Sequence, residues 1–180
     1  MQVIQEKYKT FWRRLWSLWI DGIIFLPFSI ISHFIWKDYK NISVYLIMLW
    51  YTFFSISGIT YSIFMHGKYG QTLGKMIFRI RVLDISENIL TMSQAIQRDI
   101  VLIFLGLIDL ALSLPRIATG VNIQDVKNLS FEIIMTLYAL WFIAEPITML
   151  SNEKRRSISD FIAKSVVVTI VKNTSVSTLD

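Results

Sequence analysis

The sequence predicts an all-α membrane protein: a four-helix transmembrane bundle with cytoplasmic termini and a small cytoplasmic two-stranded β ribbon. Three observations lead to this fold class. The composition is 54% hydrophobic and only 17% charged over 180 residues, whereas soluble domains are about 25% charged. Four apolar runs each approach the roughly 20 residues that the hydrocarbon core of a bilayer requires. Lysine and arginine concentrate on one side of these runs, which is typical of a membrane protein with a fixed orientation.

The four predicted spans cover about residues 15–35, 42–65, 100–118 and 129–150. The first is not typical of a cleavable signal peptide, because its apolar run exceeds a signal's roughly 7–15 residues and carries an acid. Fourteen of the 18 lysines and arginines lie in the N-terminal arm, the loop 66–98 or the C-terminal tail. Because such residues favour cytoplasmic segments, we expect a multi-pass plasma-membrane protein whose N and C termini are cytoplasmic.

The polar segments between and after the spans are expected to form one small cytoplasmic structure. From Ile77 to Asp84, apolar residues alternate with Arg79 and Arg81, a period of two that is typical of a strand. Ser165 to Val171 is rich in β-branched residues and too short to span the membrane. We expect these two segments to pair, with an interfacial tail helix and strand over residues 157–171.

The chain is expected to be one membrane domain, residues 1–172, followed by a polar tail, 173–180. It has no cysteine and only two histidines, so the sequence predicts no metal site and no cofactor. We find no nucleophile–base set, so no catalytic residue is assigned and an enzyme is not expected. Nucleic acid is not an expected partner, because a cytoplasmic orientation of the loops already explains their basic charge.

Asp21, Asp109 and Glu145 are acids that fall within the predicted spans. A charge at the bilayer centre costs about 2.5–3.5 kcal/mol on insertion scales, so such residues are functional candidates. Arg14 precedes Asp21 by seven residues and shares its helical face. Arg98 precedes Asp109 by eleven and is expected to do the same. We therefore expect an ion or proton site, or a polar seam, made by Asp21, Asp109, Glu145 and Arg98.

A second reading of these acids stays open. Each carboxylate could pair with an arginine or a hydroxyl and simply hold the bundle together. Asp160, which follows the fourth span, is in addition expected to close a salt bridge with Arg13, Arg14 or Arg98 at the same interface.

These motifs occur in a characteristic order: Arg14 and Asp21 at the head of the first span, then GQTLGK at 70–75, RVLD at 81–84, Arg98, and a tail motif that starts at Asp160. In that order and spacing the chain resembles the RDD family of bacterial membrane proteins, over about residues 10–171. The family is named for one arginine and two aspartates. The resemblance assigns these to Arg14, Asp21 and Asp160. It also marks a cytoplasmic motif, which comprises Gly70, Gln71, Thr72, Gly74, Lys75 and Arg81.

The chain departs from the family pattern at three places. Ser17 stands where another small residue is expected, and Phe78 or Arg79 replaces a glycine that usually follows the GK pair. In the tail, Ala163-Lys164-Ser165 replaces Ala-Gly-Thr. The last two departures argue against close packing of the loop and tail.

The resemblance implies transport of a small solute, or exchange of a monovalent cation for protons. From the residues, we hypothesise that Asp21 and Asp109 form one inward-facing site, with Glu145 contributing and Arg14 setting the resting charge. The expected partners are the lipid bilayer, a monovalent cation and the proton, and a homo-oligomer or a membrane-protein partner. The alternative function is a non-transporting accessory, assembly or self-immunity protein that acts by binding a partner.

Overall fold

The computed structural model describes residues 7–120 and 129–170. In chain order its elements are α1 (Phe11–Lys37), α2 (Val44–Tyr69), α3 (Leu73–Ile77), β1 (Ile80–Asp84), α4 (Met92–Arg98), α5 (Ile100–Ala118), α6 (Leu129–Leu150), α7 (Ile158–Ile162) and β2 (Ser165–Thr169).

Four helices in this part of the chain are long and apolar enough to cross a membrane, as the sequence predicted: α1, α2, α5 and α6. The bounds of α5 and α6 agree with the predicted spans. Helix α1 extends beyond its predicted span at both ends, and α2 extends beyond its predicted span at the C-terminal end. At 1.5 Å per residue, the 27 residues of α1 extend about 40 Å. They therefore exceed the roughly 30 Å hydrocarbon core and reach into the interface. The predicted tail, 173–180, lies outside the described residues.

The segment between α2 and α5 is more structured than the predicted loop. Gly70 adopts a left-handed conformation (φ +70°) and ends α2, a role that glycine fills without a Cβ penalty. The short helices α3 and α4 begin at Thr72 and Thr91, whose hydroxyls accept hydrogen bonds from the backbone N–H groups of Lys75 and Gln94. Threonine caps in a loop are a local signal for these helices.

The predicted ribbon is confirmed. Strands β1 and β2 pair antiparallel, with Ile80 opposite Thr169 and Asp84 opposite Ser165. A two-stranded ribbon is marginal by itself, but this one has its own apolar core of Ile80, Val82, Val167 and Leu90. We call the end of the bundle that carries this ribbon, residues 66–99 and 151–170, the ribbon end.

Two residues next to the ribbon are strained. Arg79 (φ 53°) precedes β1 and Lys164 (φ 50°) precedes β2, in the left-handed region where non-glycine residues are disfavoured. These are the positions at which the chain lacks the family's glycines. The expected loosening of packing is nevertheless wrong, because Ala163 and Ser165, on either side of Lys164, are fully buried.

Candidate functional site

Asp160 lies at the centre of a buried ionic cluster at the ribbon end. Its Oδ2 is 2.5 Å from Nη1 of Arg14, and its Oδ1 binds Nη1 of Arg98. The aspartate is completely buried, and the two arginines are only 5% and 7% exposed. Of the three arginines proposed as partners, two therefore bind the same carboxylate. They join α1, α4 and α7, which are far apart in sequence.

The cluster is completed by neutral donors. The Ser157 backbone N–H donates to Asp160 Oδ2 at 3.0 Å, and the Ser165 hydroxyl donates to Oδ1 at 3.2 Å. Burial alone would raise the pKa of Asp160, but Arg14 and Arg98 outweigh that effect and hold its pKa below the ordinary value. Asp160 is consequently a carboxylate, locked in place by charge.

Asp21 occupies a different environment. It accepts hydrogen bonds from the Tyr61 hydroxyl at 2.9 Å, from the Thr72 hydroxyl at 2.6 Å and from the Gly74 backbone N–H at 2.8 Å. The backbone N–H of Leu73, the first residue of α3, donates a hydrogen bond to the Tyr61 hydroxyl oxygen at 2.9 Å. Asp21 thus caps the start of α3 and fixes this short helix against α1 and α2.

Gly74 allows this contact to form. A Cβ at this position would lie 2.1 Å from the backbone oxygen of Ser17 and 3.0 Å from the Asp21 carboxylate. The main chain of α3 therefore rests directly on α1, and Ser17, one of the departures from the family pattern, is fully buried beneath it. This explains why the GQTLGK motif has a glycine in its fifth position.

Arg14 and Asp21 lie on one continuous helix, α1, as predicted, but the predicted placement of Arg98 and Asp109 on one helix is wrong. Arg14 binds Asp160 rather than Asp21. Arg98 is the last residue of α4, and the helix is interrupted at Asp99 before α5 begins. Arg98 and Asp109 therefore lie on different helices. The wheel argument failed because it assumed a continuous helix across that break.

Asp21 and Asp109 do not form one site either. Asp109 accepts a 2.8 Å hydrogen bond from the Tyr51 hydroxyl and a 3.1 Å bond from the Ser113 hydroxyl. Their tyrosine partners, Tyr51 and Tyr61, lie ten residues apart on α2, so the backbone positions of these partners are about 15 Å apart along that helix. Both acids thus fit the open alternative in which each carboxylate pairs with hydroxyl groups.

Glu145 lies on α6 and contacts Ser159 of the ribbon end. Its Oε1 accepts hydrogen bonds from the backbone N–H and the hydroxyl of Ser159, at 2.9 and 2.7 Å. Like Asp21, it satisfies a donor in the first turn of a short helix, here α7. It also borders a cavity, which brings it together with Arg98 and Arg14 but not with Asp109.

This cavity has a volume of about 570 Å³ and lies among α1, α2, α5 and α6. Its lining combines ionisable side chains with apolar and aromatic ones. The ionisable residues that line it are Arg14, His66, Lys75, Arg98, Asp99 and Glu145. Pockets of this size, apolar with a few converging polar groups, are typical of small-molecule sites.

Lys75 and His66 form an unusual buried pair in the cavity wall. Lys75 Nζ lies 2.7 Å from His66 Nε2, and His66 Nδ1 lies 2.9 Å from the Ser62 carbonyl. A proton on Nδ1 satisfies that carbonyl and leaves Nε2 to accept from the lysine. Burial, reinforced by the nearby charge of Arg98, lowers the pKa of Lys75 to about 7.

Two residues of the lining each carry a fully buried polar atom that has no hydrogen-bond partner among the described residues: Nη2 of Arg14 and Oδ2 of Asp99. Arg14 is 5% exposed and Asp99 6% exposed. Burial raises the pKa of Asp99 above its ordinary value. Sequence reasoning missed Asp99 and His66, because neither stands in a recognisable spacing with the residue it approaches.

The remaining residues of the motif that begins at Gly70 lie outside the cavity. Gly70 packs against β1, where an added Cβ would meet the Val82 oxygen at 3.0 Å. Gln71 Oε1 and Arg81 Nε are buried and have no hydrogen-bond partner among the described residues. This part of the motif therefore joins the end of α2 to the ribbon.

Comparison with known proteins yields one match. The sequence model of the RDD family covers residues 8–164, which include Arg14, Asp21, Asp160 and the whole GQTLGK motif. Comparisons with curated proteins and with solved structures gave no match. Since the family match spans most of the chain, including Arg14, Asp21 and Asp160, this membrane protein belongs to the RDD family.

Proposed function

We propose that this protein transports a small solute across the membrane, coupled to proton movement, and that the cavity is where solute and proton bind. The observation that carries the proposal is the cavity itself, a space of about 570 Å³ among the four long apolar helices that is lined by several ionisable groups. Ionisable residues at membrane depth commonly mark substrate pathways and proton relays. The proposal includes no enzymatic step and no cofactor.

Lys75 is the proposed proton-binding group. Its pKa of about 7 lets it gain and lose a proton near neutral pH. The hydrogen bond to His66 gives the proton a neighbouring acceptor. Lys75, with Asp99 and Glu145 in the same cavity lining, therefore replaces Asp21 and Asp109 as the candidate site of proton coupling.

A proteoliposome assay tests the proposal. Vesicles containing the full chain and a trapped pH-sensitive dye are exposed to gradients of sodium, potassium or lithium chloride, or to pooled amino acids. Proton flux above that of empty vesicles is expected. Lys75→Met should abolish the flux, while Asp109→Asn, which alters an acid outside the cavity, should preserve it. No flux from well-folded protein with any of these solutes would count against transport.

The second candidate function is that of an accessory membrane protein that binds a partner. It is favoured by one observation, namely that Asp21 and Asp160 are both occupied by donors of the same chain, as expected of a scaffold. Cross-linking in native membranes would then yield a membrane partner in fixed stoichiometry, and the same protein in vesicles would give no flux.

A further inference from the structure

Helix α3 folds back along α1 instead of leading away from the bundle. Near its start, the Gly74 backbone N–H donates to Asp21 at 2.8 Å. Just after its end, the Phe78 carbonyl accepts a 3.5 Å hydrogen bond from Nη1 of Arg13. Between these points the helix packs against α1, where Gly74 rests on the Ser17 backbone. Helix α3 therefore lies beside α1 between the levels of Asp21 and Arg13.

This stretch of α1 belongs largely to its apolar part. The apolar run over residues 15–35 is about 31 Å long as a helix, which matches the roughly 30 Å hydrocarbon core. Asp21 then lies about 9 Å inside the boundary of that core. Trp12 and Trp16 are exposed on either side of the boundary, where tryptophans typically mark the membrane interface. The start of α3 is consequently at the depth of the acyl chains.

The outer face of α3 is apolar. Leu73 and Ile77 are four residues apart and share one helical face. They are 44% and 62% exposed, whereas Gly74 and Lys75 between them are buried. At this depth the exposed face is suited to contact with acyl chains rather than with water.

The polar backbone of α3 meets the requirement of such a position. A helix start leaves N–H groups without intrahelical partners, and at membrane depth these need partners within the protein. The N–H groups of the first three residues of α3 donate to the side chains of Tyr61, Asp21 and Thr72 in turn.

Two exposed arginines lie at the outer end of α3. Arg13 contacts the Phe78 carbonyl, and Arg79 follows Phe78 directly. Among the described residues neither arginine forms a salt bridge. A guanidinium pairs well with phosphate, and basic residues next to a membrane attract anionic lipids.

We propose that α3 is embedded in the lipid leaflet at the ribbon end, with Leu73 and Ile77 against acyl chains and Arg13 and Arg79 against the phosphates of anionic headgroups. Lipid is the occupant, rather than a second copy, because the apolar face adjoins the exposed apolar side chains of α1 and ends in cations. The segment between α2 and α5 thus contributes a membrane-embedded element of its own, whether or not the protein transports a solute.

Fluorescence quenching in vesicles tests the depth of α3. The chain has no cysteine, so Leu73→Cys and Ile77→Cys can each carry a single environment-sensitive fluorophore. Leu26→Cys, exposed near the middle of α1, is the control within the membrane. Ser86→Cys is the control in water, because its neighbour Glu87 binds Lys7, which precedes α1. Vesicles of phosphatidylcholine and phosphatidylglycerol contain either a lipid with a nitroxide near the top of one acyl chain, or iodide on both sides.

Labels at positions 73 and 77 should lose fluorescence to the nitroxide lipid and resist iodide, as the label at 26 resists it, while the label at 86 should show the reverse. Iodide quenching at 73 and 77 equal to that at 86 would overturn the proposal, because α3 would then lie in water. Protection from both quenchers would also overturn it, since another copy would then cover α3. Both side chains are exposed, so their loss removes few contacts, and circular dichroism of each labelled variant confirms its fold.

The headgroup contact has its own test. In vesicles of the same overall composition, the nitroxide is placed either on phosphatidylglycerol or on phosphatidylcholine at equal mole fraction. The anionic nitroxide lipid should quench the label at position 77 more strongly, and Arg13→Gln together with Arg79→Gln should remove the difference. The label at position 26 should show no such preference. Equal quenching by the two lipids at position 77 in the otherwise unchanged chain would overturn the assignment of the arginines to anionic headgroups.

Discussion

Two units of the ribbon end are built alike and held in different ways. In each, a five-residue helix begins at a hydroxyl cap and leads through one left-handed residue into a strand: α3, Arg79 and β1 in the first, and α7, Lys164 and β2 in the second. An aspartate of the family signature anchors each helix. Asp21 anchors the first unit from α1, and Asp160 anchors the second from within it.

The forces at the two anchors differ. Asp160 holds two guanidinium groups away from water, whereas Asp21 accepts from two hydroxyls and one amide. One anchor is ionic and the other is a set of dipoles. The same residue type therefore supports similar units through interactions whose loss should cost different amounts.

Asp160→Asn is expected to have the largest effect. Without the negative charge, Arg14 and Arg98 remain buried and uncompensated, which costs about 3–5 kcal/mol when one partner of a buried pair is removed. Thermal unfolding in detergent measures the loss. A second signature follows from the lowered pKa of Asp160: its contribution is present above about pH 4 and is lost as the pH falls further. An Asn variant as stable as the wild type would show that the arginines do not need this carboxylate.

Gly74→Ala should rank next, because its new Cβ would overlap the Ser17 backbone oxygen, which lies 2.1 Å away. Backbone cannot yield as a flexible side chain does, so we expect a loss of roughly 3 kcal/mol. Gly22→Ala is a matched control next to Asp21, since nothing lies within 4 Å of its Cβ. The control should gain up to about 1 kcal/mol from helix propensity. Equal effects of the two substitutions would argue against close contact between α3 and α1.

Asp21→Asn should cost less than Asp160→Asn, about 1–2 kcal/mol, because the amide oxygen still accepts from Gly74 and Asp21 forms no salt bridge among the described residues. Thermal unfolding of both variants under the same conditions compares the anchors directly. Equal losses, or a larger loss for Asp21→Asn, would mean that the two anchors do not differ in the way their contacts indicate.

Both strands and the anchor of the second unit could be predicted from sequence, whereas the contacts that anchor the first unit could not. The β-branched run of β2 and the basic–apolar alternation of β1 are local patterns, and Asp160 has few possible cationic partners at its interface. The contact of Asp21 with Thr72 joins residues 51 apart in sequence, and no periodicity encodes it. Likewise, the turn at Asp99 separates α4 from α5, and the spacing between Arg98 and Asp109 does not reveal it.

Lys75 adds a pH dependence that distinguishes the cavity from both anchors. Because its folded pKa of about 7 lies below the ordinary 10.5, the unfolded chain binds more protons between these values. Stability should therefore rise with pH from about 7 to 10.5, by at most about 1.4 kcal/mol per pH unit. Lys75→Met should remove this slope in thermal unfolding across that range, while Asp21→Asn should retain it. A slope that survives in Lys75→Met belongs to another group.

The smallest expected effect tests whether the two units are alike in backbone as well as in outline. Arg79 and Lys164 are exposed, so replacing either by glycine removes few contacts, and it relieves a left-handed conformation that costs a non-glycine residue roughly 1–2 kcal/mol. Part of that gain is offset by the greater freedom of glycine in the unfolded chain. Arg79→Gly and Lys164→Gly should each stabilise the protein by up to about 1 kcal/mol in thermal unfolding. Gains at both positions would mean that the chain tolerates the same strain twice, once on each side of the ribbon. Stabilisation at only one position would mean that only that unit is strained. The two units would then differ in backbone strain as well as in the charge of their anchors.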